Sequence, residues 1–272
     1  MRNPRVSRVT TERYTHGHHE SVLRSHRWRT AENSVGYLLP HLRPGMSILD
    51  VGSGPGTITA DLAAIVAPGR VVGVDASAQI VEAAAAEASA SNLEYRVGDA
   101  YSLDAADGEF DVVHAHQVLH HLADPVAALH EWRRVAGADG MVAAREVDYG
   151  GVVLHPFSRG LEEWTVLYQR VHRSNGGNPD AGRRVKAWAR AAGFVDVAVS
   201  ASYWLYESDD DRAWWGASWA DRATKSAFAS DALDGGFATR ADLERIADAW
   251  RAWAADPDGW MLMPHGEIIA RG

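Results

Sequence analysis

The chain contains no cysteine, which excludes disulfide bonds, thiolate metal sites and cysteine nucleophiles. Long apolar runs are also missing, because no uninterrupted stretch approaches the roughly 20 residues that a membrane-spanning helix needs. Residues 1–17 carry basic side chains with no apolar segment behind them, unlike a secretory signal. We therefore expect a cytoplasmic protein that has no membrane partner.

Positive charge is scarce as well. The 27 lysines and arginines are outnumbered by 36 acidic residues, which gives a formal net charge of −9. Excess negative charge opposes contact with a phosphate backbone, so no nucleic-acid partner is expected. The 46% hydrophobic and 23% charged residues are typical of a globular protein, and 272 residues suffice for one large α/β domain.

Tryptophan, by contrast, is abundant: nine of the eleven follow residue 150, so the two halves of the chain differ in character. Apolar runs of strand length alternate with helical patterns through the first 200 residues. These runs cover residues 47–51, 70–75, 93–97, 110–115, 141–147 and 195–204. Such alternation predicts a parallel sheet with helices on both faces. Ligands of these sheets bind beyond the carboxyl ends of the strands.

The stretch ILDVGSGPGTIT, residues 48–59, predicts a strand, a glycine loop and a helix. Glycines permit positive φ and close approach of a ligand to the backbone, while the helix offers unpaired N–H groups. The spacing G-x-G-x-G differs from the G-x-G-x-x-G of NAD sites, and the lysine of a triphosphate loop is absent. The loop is therefore not built for a pyrophosphate or a triphosphate.

Carboxylates follow the next two strands. Asp75 lies 23 residues after Gly52, where a carboxylate can accept both ribose hydroxyls of a nucleoside. Asp99 follows the third strand and can accept an exocyclic amine of adenine. Each aspartate by itself could simply cap a helix. Together with polar residues after the fourth strand, they favour a nucleoside ligand around one glycine loop.

These segments, with GDA (98–100) and FDVVHAHQVLHHLADP (110–125), resemble the successive motifs of class I S-adenosylmethionine-dependent methyltransferases. Within this family, the motifs resemble those of the ubiquinone/menaquinone-biosynthesis-like group. The resemblance is strong over residues 30–150 and looser over 180–200 and 260–272. It implies a Rossmann-like α/β fold, with a seven-stranded, mostly parallel sheet whose last strand is antiparallel.

The resemblance also implies which residues hold S-adenosylmethionine. The glycine loop would pack against the methionine part, Asp75 would bind the ribose, Asp99 with Ala100 would hold the adenine, and His116 would lie beside the methionine part. The predicted cofactor contacts are Tyr14, His19, Asp50, Gly52, Ser53, Gly54, Gly56, Asp75, Ala76, Asp99, Ala100 and His116.

The expected organisation is a single domain over residues 1–272. Residues 1–40 would form lid helices and residues 41–150 the cofactor-binding core. Helical insertions at 155–180 and 207–256, which depart from the family pattern, would cap the strand ends, and residues 260–272 would form the final strand. Tryptophans of the second insertion are expected mainly in the core between helices, with two or three lining a pocket.

The stretch from His16 to His26 holds four histidines and a glutamate. The helical zinc pattern needs two histidines at i, i+4 with a glutamate beside the first, and that pattern is absent. No metal site is therefore expected. The resemblance instead predicts that this segment closes over the cofactor, with Tyr14 and His19 in contact.

Methyl transfer from a sulfonium depends mainly on the positioning of the two reactants, which can lower the activation barrier by roughly 7–11 kcal/mol. A general base would add about 10²–10⁴-fold if the acceptor carries a proton. The candidate catalytic residues are His116, His120 and Asp148, each of which could instead be a hydrogen-bonded structural side chain.

The expected activity is methyl transfer to O, N or C of a small aromatic or hydrophobic acceptor. A non-catalytic cofactor-binding protein is the alternative, and an NAD-dependent reductase is disfavoured by the glycine spacing. Nucleic-acid methylation is disfavoured because no Asn/Asp-Pro-Pro-Tyr/Phe motif follows the fourth strand, and arsenic methylation because cysteine is absent. The sequence leaves a homodimer open.

Overall fold

The computed structural model describes residues 28–272, so Tyr14, His19 and the histidine-rich stretch 16–26 lie outside the described residues. The strands are β1 Ile48–Val51, β2 Val71–Asp75, β3 Leu93–Val97, β4 Val112–His116, β5 Met141–Val147, β6 Val153–His155, β7 Asp196–Tyr206 and β8 Trp260–Arg271. The helices are α1 Ala31–Ser34, α2 Thr57–Val66, α3 Ala78–Glu87, α4 Pro125–Ala136, α5 Arg159–Ser174, α6 Val185–Ala191, α7 Asp209–Lys225, α8 Ala227–Asp234 and α9 Arg240–Ala255.

One sheet organises the chain. Strands β1 to β5 pair in parallel in the order β3-β2-β1-β4-β5, and β8 runs antiparallel beside β5. Strand β7 covers the other edge of β8 along its whole length. This confirms the expected mostly parallel sheet with an antiparallel last strand. Strand β6 was not predicted: its three residues pair with β8 beyond the end of β5 and bring the sheet to eight strands.

Local signals in the sequence explain where several helices begin. The Ser77 side chain caps α3 by accepting from the backbone N–H of Ile80, as expected. Asp124 caps α4, whose first residue is Pro125. Thr239 and Asp242 form a reciprocal capping box at the start of α9, which confirms the pattern read from the sequence.

The second half of the chain builds its own aromatic core. Helices α5, α7, α8 and α9 pack around it, and Trp215, Trp219, Trp250 and Trp253 are each at most 4% exposed within this cluster. The prediction that most of these tryptophans are core residues is confirmed. Among residues 28–272 no helix combines the length and apolar character needed to cross a bilayer.

Candidate functional site at the carboxyl ends of the strands

The glycine loop turns sharply away from β1. Gly52, Gly54 and Gly56 have positive φ angles of 70°, 55° and 86°. The backbone N–H groups of Gly52 and Ser53 donate to the carbonyl of Val74, at 2.7 and 3.0 Å. A Cβ at position 52 would stand 2.4 Å from a methyl carbon of Val118. The loop therefore requires glycine for its conformation and for its close packing on the segment after β4.

The carboxylate of Asp75 fastens this loop to the end of β2. Its Oδ2 accepts from the N–H of Gly54 at 3.1 Å, and its Oδ1 accepts from the N–H of Ser77 at 2.9 Å. The side chain is only half-buried, so the carboxylate also has a face toward solvent. The loop and Asp75 thus converge, which is the arrangement that a ribose between backbone and carboxylate needs.

Asp99 lies along the same edge, because Asp75 pairs with Val97 in the register of β2 and β3. Its side chain is exposed, and its Oδ1 accepts from the N–H of Tyr101 at 2.9 Å. Ala76 is exposed on the turn after β2. The carbonyl of Ala100 accepts from the indole N–H of Trp132 at 3.0 Å, which fixes the turn that carries Asp99.

Asp50 lies beneath the loop. It is 3% exposed, its Oδ2 accepts from the hydroxyl of Thr59 at 2.6 Å, and its Oδ1 lies 2.7 Å from Nδ1 of His114. Both oxygens are therefore engaged with α2 and β4. This geometry favours Asp50 as a support that holds the loop's helix against the sheet, behind the surface that a cofactor would contact.

The end of β4 presents His116 at the level of the glycine loop, because Val51 pairs with Ala115. His116 is 6% exposed, and its Nε2 accepts from the guanidinium of Arg145 at 2.9 Å. Burial, with help from the charges of Arg29 and Arg145, holds its pKa well below the ordinary value. His116 is thus a neutral ring whose Nε2 lone pair is already used, which makes it a poor general base.

Gln117, directly after β4, has a positive φ of 56°, a strained backbone for a residue other than glycine. Its amide nitrogen lies 2.8 Å from Nε2 of His265, and its amide oxygen accepts from Arg29 at 2.9 Å. Burial beside Arg145 also keeps the pKa of His265 well below its ordinary value. Two neutral imidazoles therefore flank the strand end, held by two arginines and one amide.

Aromatic rings extend outward from these imidazoles. We use the name aromatic wall for Trp28, Trp204, Tyr206 and Trp214. Trp204 lies 5.5 Å from the ring of His116, and Trp28 lies 5.3 to 6.1 Å from the other three members. The guanidinium of Arg145 stands 4.8 Å from the Trp204 ring, at cation–π distance. The aromatic wall is apolar, its members Trp204 and Tyr206 are buried, and the guanidinium beside it is paired with the buried Glu267 at 3.3 Å.

The other two predicted catalytic residues are held by strong partners. Nδ1 of His120 lies 2.8 Å from Oε2 of the buried Glu146, so in the neutral ring its remaining lone pair is on Nε2. Asp148 is bound by Arg183 through the backbone N–H at 2.9 Å and the side-chain Nε at 2.7 Å. This pairing favours Asp148 as an anchor for the segment before α6.

The buried imidazoles predict a specific pH dependence of stability. For a base with a depressed pKa in the folded state, the unfolded chain binds more protons, so stability falls as pH drops below about 6.5. Between pH 7.5 and pH 5.5 each such group contributes about 1.4 kcal/mol to this fall. Urea denaturation of His265→Gln should show a pH dependence shallower than the wild type by about that amount.

The matched control for this prediction is His130→Gln, because His130 is exposed on α4. His130→Gln should keep the wild-type slope. An unchanged slope in His265→Gln would show that the ring binds protons in the folded protein as it does in the unfolded chain, and would contradict the pH argument.

Sequence reasoning missed Arg145, Trp204, His265 and Glu146. Each lies on an element that the periodicity predicted or next to one, yet nothing local distinguishes it from an ordinary strand residue. Gln117 alone had a positional signal, since it directly follows the fourth strand. The others are brought together by the pairing of β4, β5, β7 and β8.

Comparison with known proteins agrees with this architecture. The family described as "Methyltransferase domain" matches residues 49–144. An uncharacterized methyltransferase of Schizosaccharomyces pombe is 34% identical over 94% of this chain and 95% of its own. A demethylmenaquinone methyltransferase of Lactococcus lactis is 32% identical over 56% of this chain and 67% of its own. The solved structure of the Bacillus subtilis YcgJ protein superposes with a TM-score of 0.56 at 20% identity, covering 89% of this chain and 99% of that one.

Proposed function

The chain belongs to the class I S-adenosylmethionine-dependent methyltransferases, and from this membership we propose that its methyl acceptor is a small aromatic or otherwise hydrophobic molecule. The observation that carries the proposal is the aromatic wall, which begins at the level of the glycine loop and continues away from it. Aromatic side chains arranged around a strand end favour a flat, apolar ligand.

S-adenosylmethionine supplies an electrophilic methyl group on a sulfonium. The groups on the described residues suit such a ligand. The glycines with positive φ leave the backbone accessible, and the half-buried carboxylate of Asp75 is hydrogen-bonded to the same loop. We propose that Asp75 binds the ribose, that Asp99 and the turn at Ala76 and Ala100 border the adenine, and that Asp50 supports the loop from beneath.

We propose that the chemical step depends mainly on positioning. His116 and His265 are neutral and buried, and they present ring surfaces between the glycine loop and the aromatic wall. Arg29 and Arg145 lie at this end of the site, Arg145 paired with the buried Glu267 at 3.3 Å, and their guanidinium groups would stabilise negative charge on an oxygen acceptor. These features favour an acceptor that carries a phenolic or enolic oxygen over one that carries an amine.

Trp28 offers the most direct test of the acceptor site, because it is 36% exposed and contacts three aromatic rings. Removing this ring in Trp28→Ala should raise KM for an aromatic acceptor by roughly 10-fold, the equivalent of about 1.4 kcal/mol of lost contact. The affinity for S-adenosylhomocysteine should change little. Transfer of labelled methyl from S-adenosylmethionine to a panel of phenols, enols and amines measures both the class and the KM.

Tyr203→Ala is the control, since Tyr203 is 60% exposed on β7 and is not part of the aromatic wall. It should leave KM unchanged. Equal effects of the two substitutions would contradict the proposed location. Methylation of amines but of no oxygen acceptor would contradict the proposed acceptor class, and cofactor binding without any methyl transfer would support a regulatory protein instead.

A further inference from the structure

Three histidines meet where the segment after β4 contacts α5. Each of His120, His121 and His172 offers one nitrogen, and the three nitrogen atoms lie within 4.8 Å of one another. The ring centroids are 3.7, 5.2 and 5.3 Å apart. His120 and His172 are 1% and 0% exposed, whereas His121 is half-buried.

Hydrogen bonds fix the tautomers of two of the rings. His120 uses Nδ1 toward Glu146 at 2.8 Å, so Nε2 of the neutral ring is left as its acceptor nitrogen. His172 donates from Nε2 to the carbonyl of His120 at 2.7 Å, so its acceptor nitrogen is Nδ1, where an ion would have to displace the hydroxyl of Tyr168 that lies 3.4 Å away. A second hydrogen bond that fixes the tautomer is characteristic of histidines that bind metal ions.

The buried carboxylate of Glu146 supports His120 from behind. Glu146 is 0% exposed, and among the described residues its one basic partner is the ring of His120, at 2.8 Å. Its oxygens accept from the backbone N–H groups of residues 118, 119 and 120, at 2.8, 2.7 and 3.2 Å. A metal ion on Nε2 of His120 would place positive charge one imidazole away from this carboxylate, in the carboxylate–histidine–metal order found in metal sites.

The loop after α5 closes over the cluster. A Cβ at Gly177 would lie 2.5 Å from the carbonyl oxygen of His120 and 2.6 Å from Nε2 of His172. The N–H of Asn178 donates to the same carbonyl at 2.7 Å. The sequence SNGGNPD, whose composition indicates a flexible connection, is thus packed against the imidazoles.

We propose that His120, His121 and His172 bind a divalent transition-metal ion such as Zn²⁺. Zinc accepts three imidazoles and leaves a fourth position for water or a ligand oxygen. Zn–N bonds of about 2.0–2.1 Å place tetrahedral nitrogens roughly 3.4 Å apart, so ring rotations must bring the three nitrogens closer together. The absence of cysteine favours an imidazole-binding ion over a thiophilic one. The site goes beyond methyl transfer, which a sulfonium donor supports without an ion.

Metal content and metal affinity test this proposal without any measurement of activity. Untagged protein, freed of metal with a chelator, is titrated with Zn²⁺ in competition with a chromophoric chelator. Wild-type protein should bind one equivalent, and Co²⁺ should produce the visible absorption bands of a four-coordinate site. His172→Gln keeps a donor for the carbonyl of His120 but loses the ring nitrogen, and should weaken Zn²⁺ binding at least 100-fold.

Matched variants distinguish this site from other histidines. His130→Gln, an exposed histidine on α4, should bind Zn²⁺ as the wild type does. Joint replacement of His16, His18, His19 and His26 by glutamine should also leave the affinity unchanged. If that fourfold variant loses the ion, if His172→Gln keeps it, or if wild-type protein gives no four-coordinate Co²⁺ spectrum, the proposal is overturned. Because S-adenosylmethionine takes no part, these results are independent of the proposed acceptor.

Discussion

Replacing Asp75 by asparagine is expected to weaken the binding of S-adenosylhomocysteine by roughly 30–150-fold. Hydrogen bonds to a charged group contribute about 2–3 kcal/mol when the partner is well placed, and each 1.4 kcal/mol is a factor of ten in affinity. Asp75 would lose its charge toward the ribose and would also hold Gly54 and Ser77 less firmly, since an amide has only one oxygen acceptor. Isothermal titration calorimetry measures the change directly.

Asp139→Asn is the matched control for this experiment, because Asp139 is exposed in the turn between α4 and β5. Its affinity for S-adenosylhomocysteine should equal that of the wild type. If Asp75→Asn retained wild-type affinity, the ribose would not contact this carboxylate, and the proposed orientation of the cofactor along β2 and β3 would be lost. Unfolding measured on the same samples separates weak binding from loss of structure.

Replacing Glu146 by alanine is expected to lower the free energy of unfolding by about 3–5 kcal/mol, because several buried donors lose a charged acceptor at a cost of about 1–3 kcal/mol each. Three backbone N–H groups and the Nδ1–H of His120 would lose their acceptor in a region closed to water. The segment after β4, which packs on Gly52 through Val118, would lose its anchor to β5.

Urea denaturation followed by tryptophan fluorescence measures this loss, with Glu82→Ala as the control. Glu82 is exposed in the middle of α3, where alanine is a good helix former, so its replacement should change stability by less than about 0.5 kcal/mol. Glu146→Gln should fall between the two, because one oxygen acceptor remains. A Glu146→Ala variant as stable as Glu82→Ala would mean that the residues after β4 find other acceptors.

The conformation of the glycine loop and the position of Asp75 beside it were predictable because their signals are local. Glycines 52, 54 and 56 are required within a single turn, where their positive φ angles are a property of the backbone itself. The position of Asp75 follows from the length of one strand–helix–strand unit, and parallel pairing then carries it to the same edge as the loop. The capping residues of α3, α4 and α9 act within one helical turn and were equally predictable from the sequence.

The surroundings of His116 at the end of β4 were not predictable from local signals, because their contacts join residues far apart in sequence. The sequence predicted roles for His116 and His120. The side chains that contact His116 are Arg145 on β5 and Trp204 on β7, and the side chain that orients His120 is Glu146 on β5. The aromatic pattern alone could not separate core tryptophans from those of the aromatic wall. In the sequence, the notable group of histidines lies at residues 16–26. The three imidazoles that meet among the described residues lie instead on the turn after β4 and on α5.

Taken by itself, the sequence therefore determined the α/β class, the glycine loop with its carboxylate on β2, and the starts of the helices. These depend on backbone conformation, hydrophobic periodicity and hydrogen bonds that span a few residues. Only the tertiary structure decided which side chains lie around His116 at the end of β4, which buried histidines have a depressed pKa and which three histidines meet. Those properties depend on burial and on charges from other strands, and burial is a property of the whole packed chain.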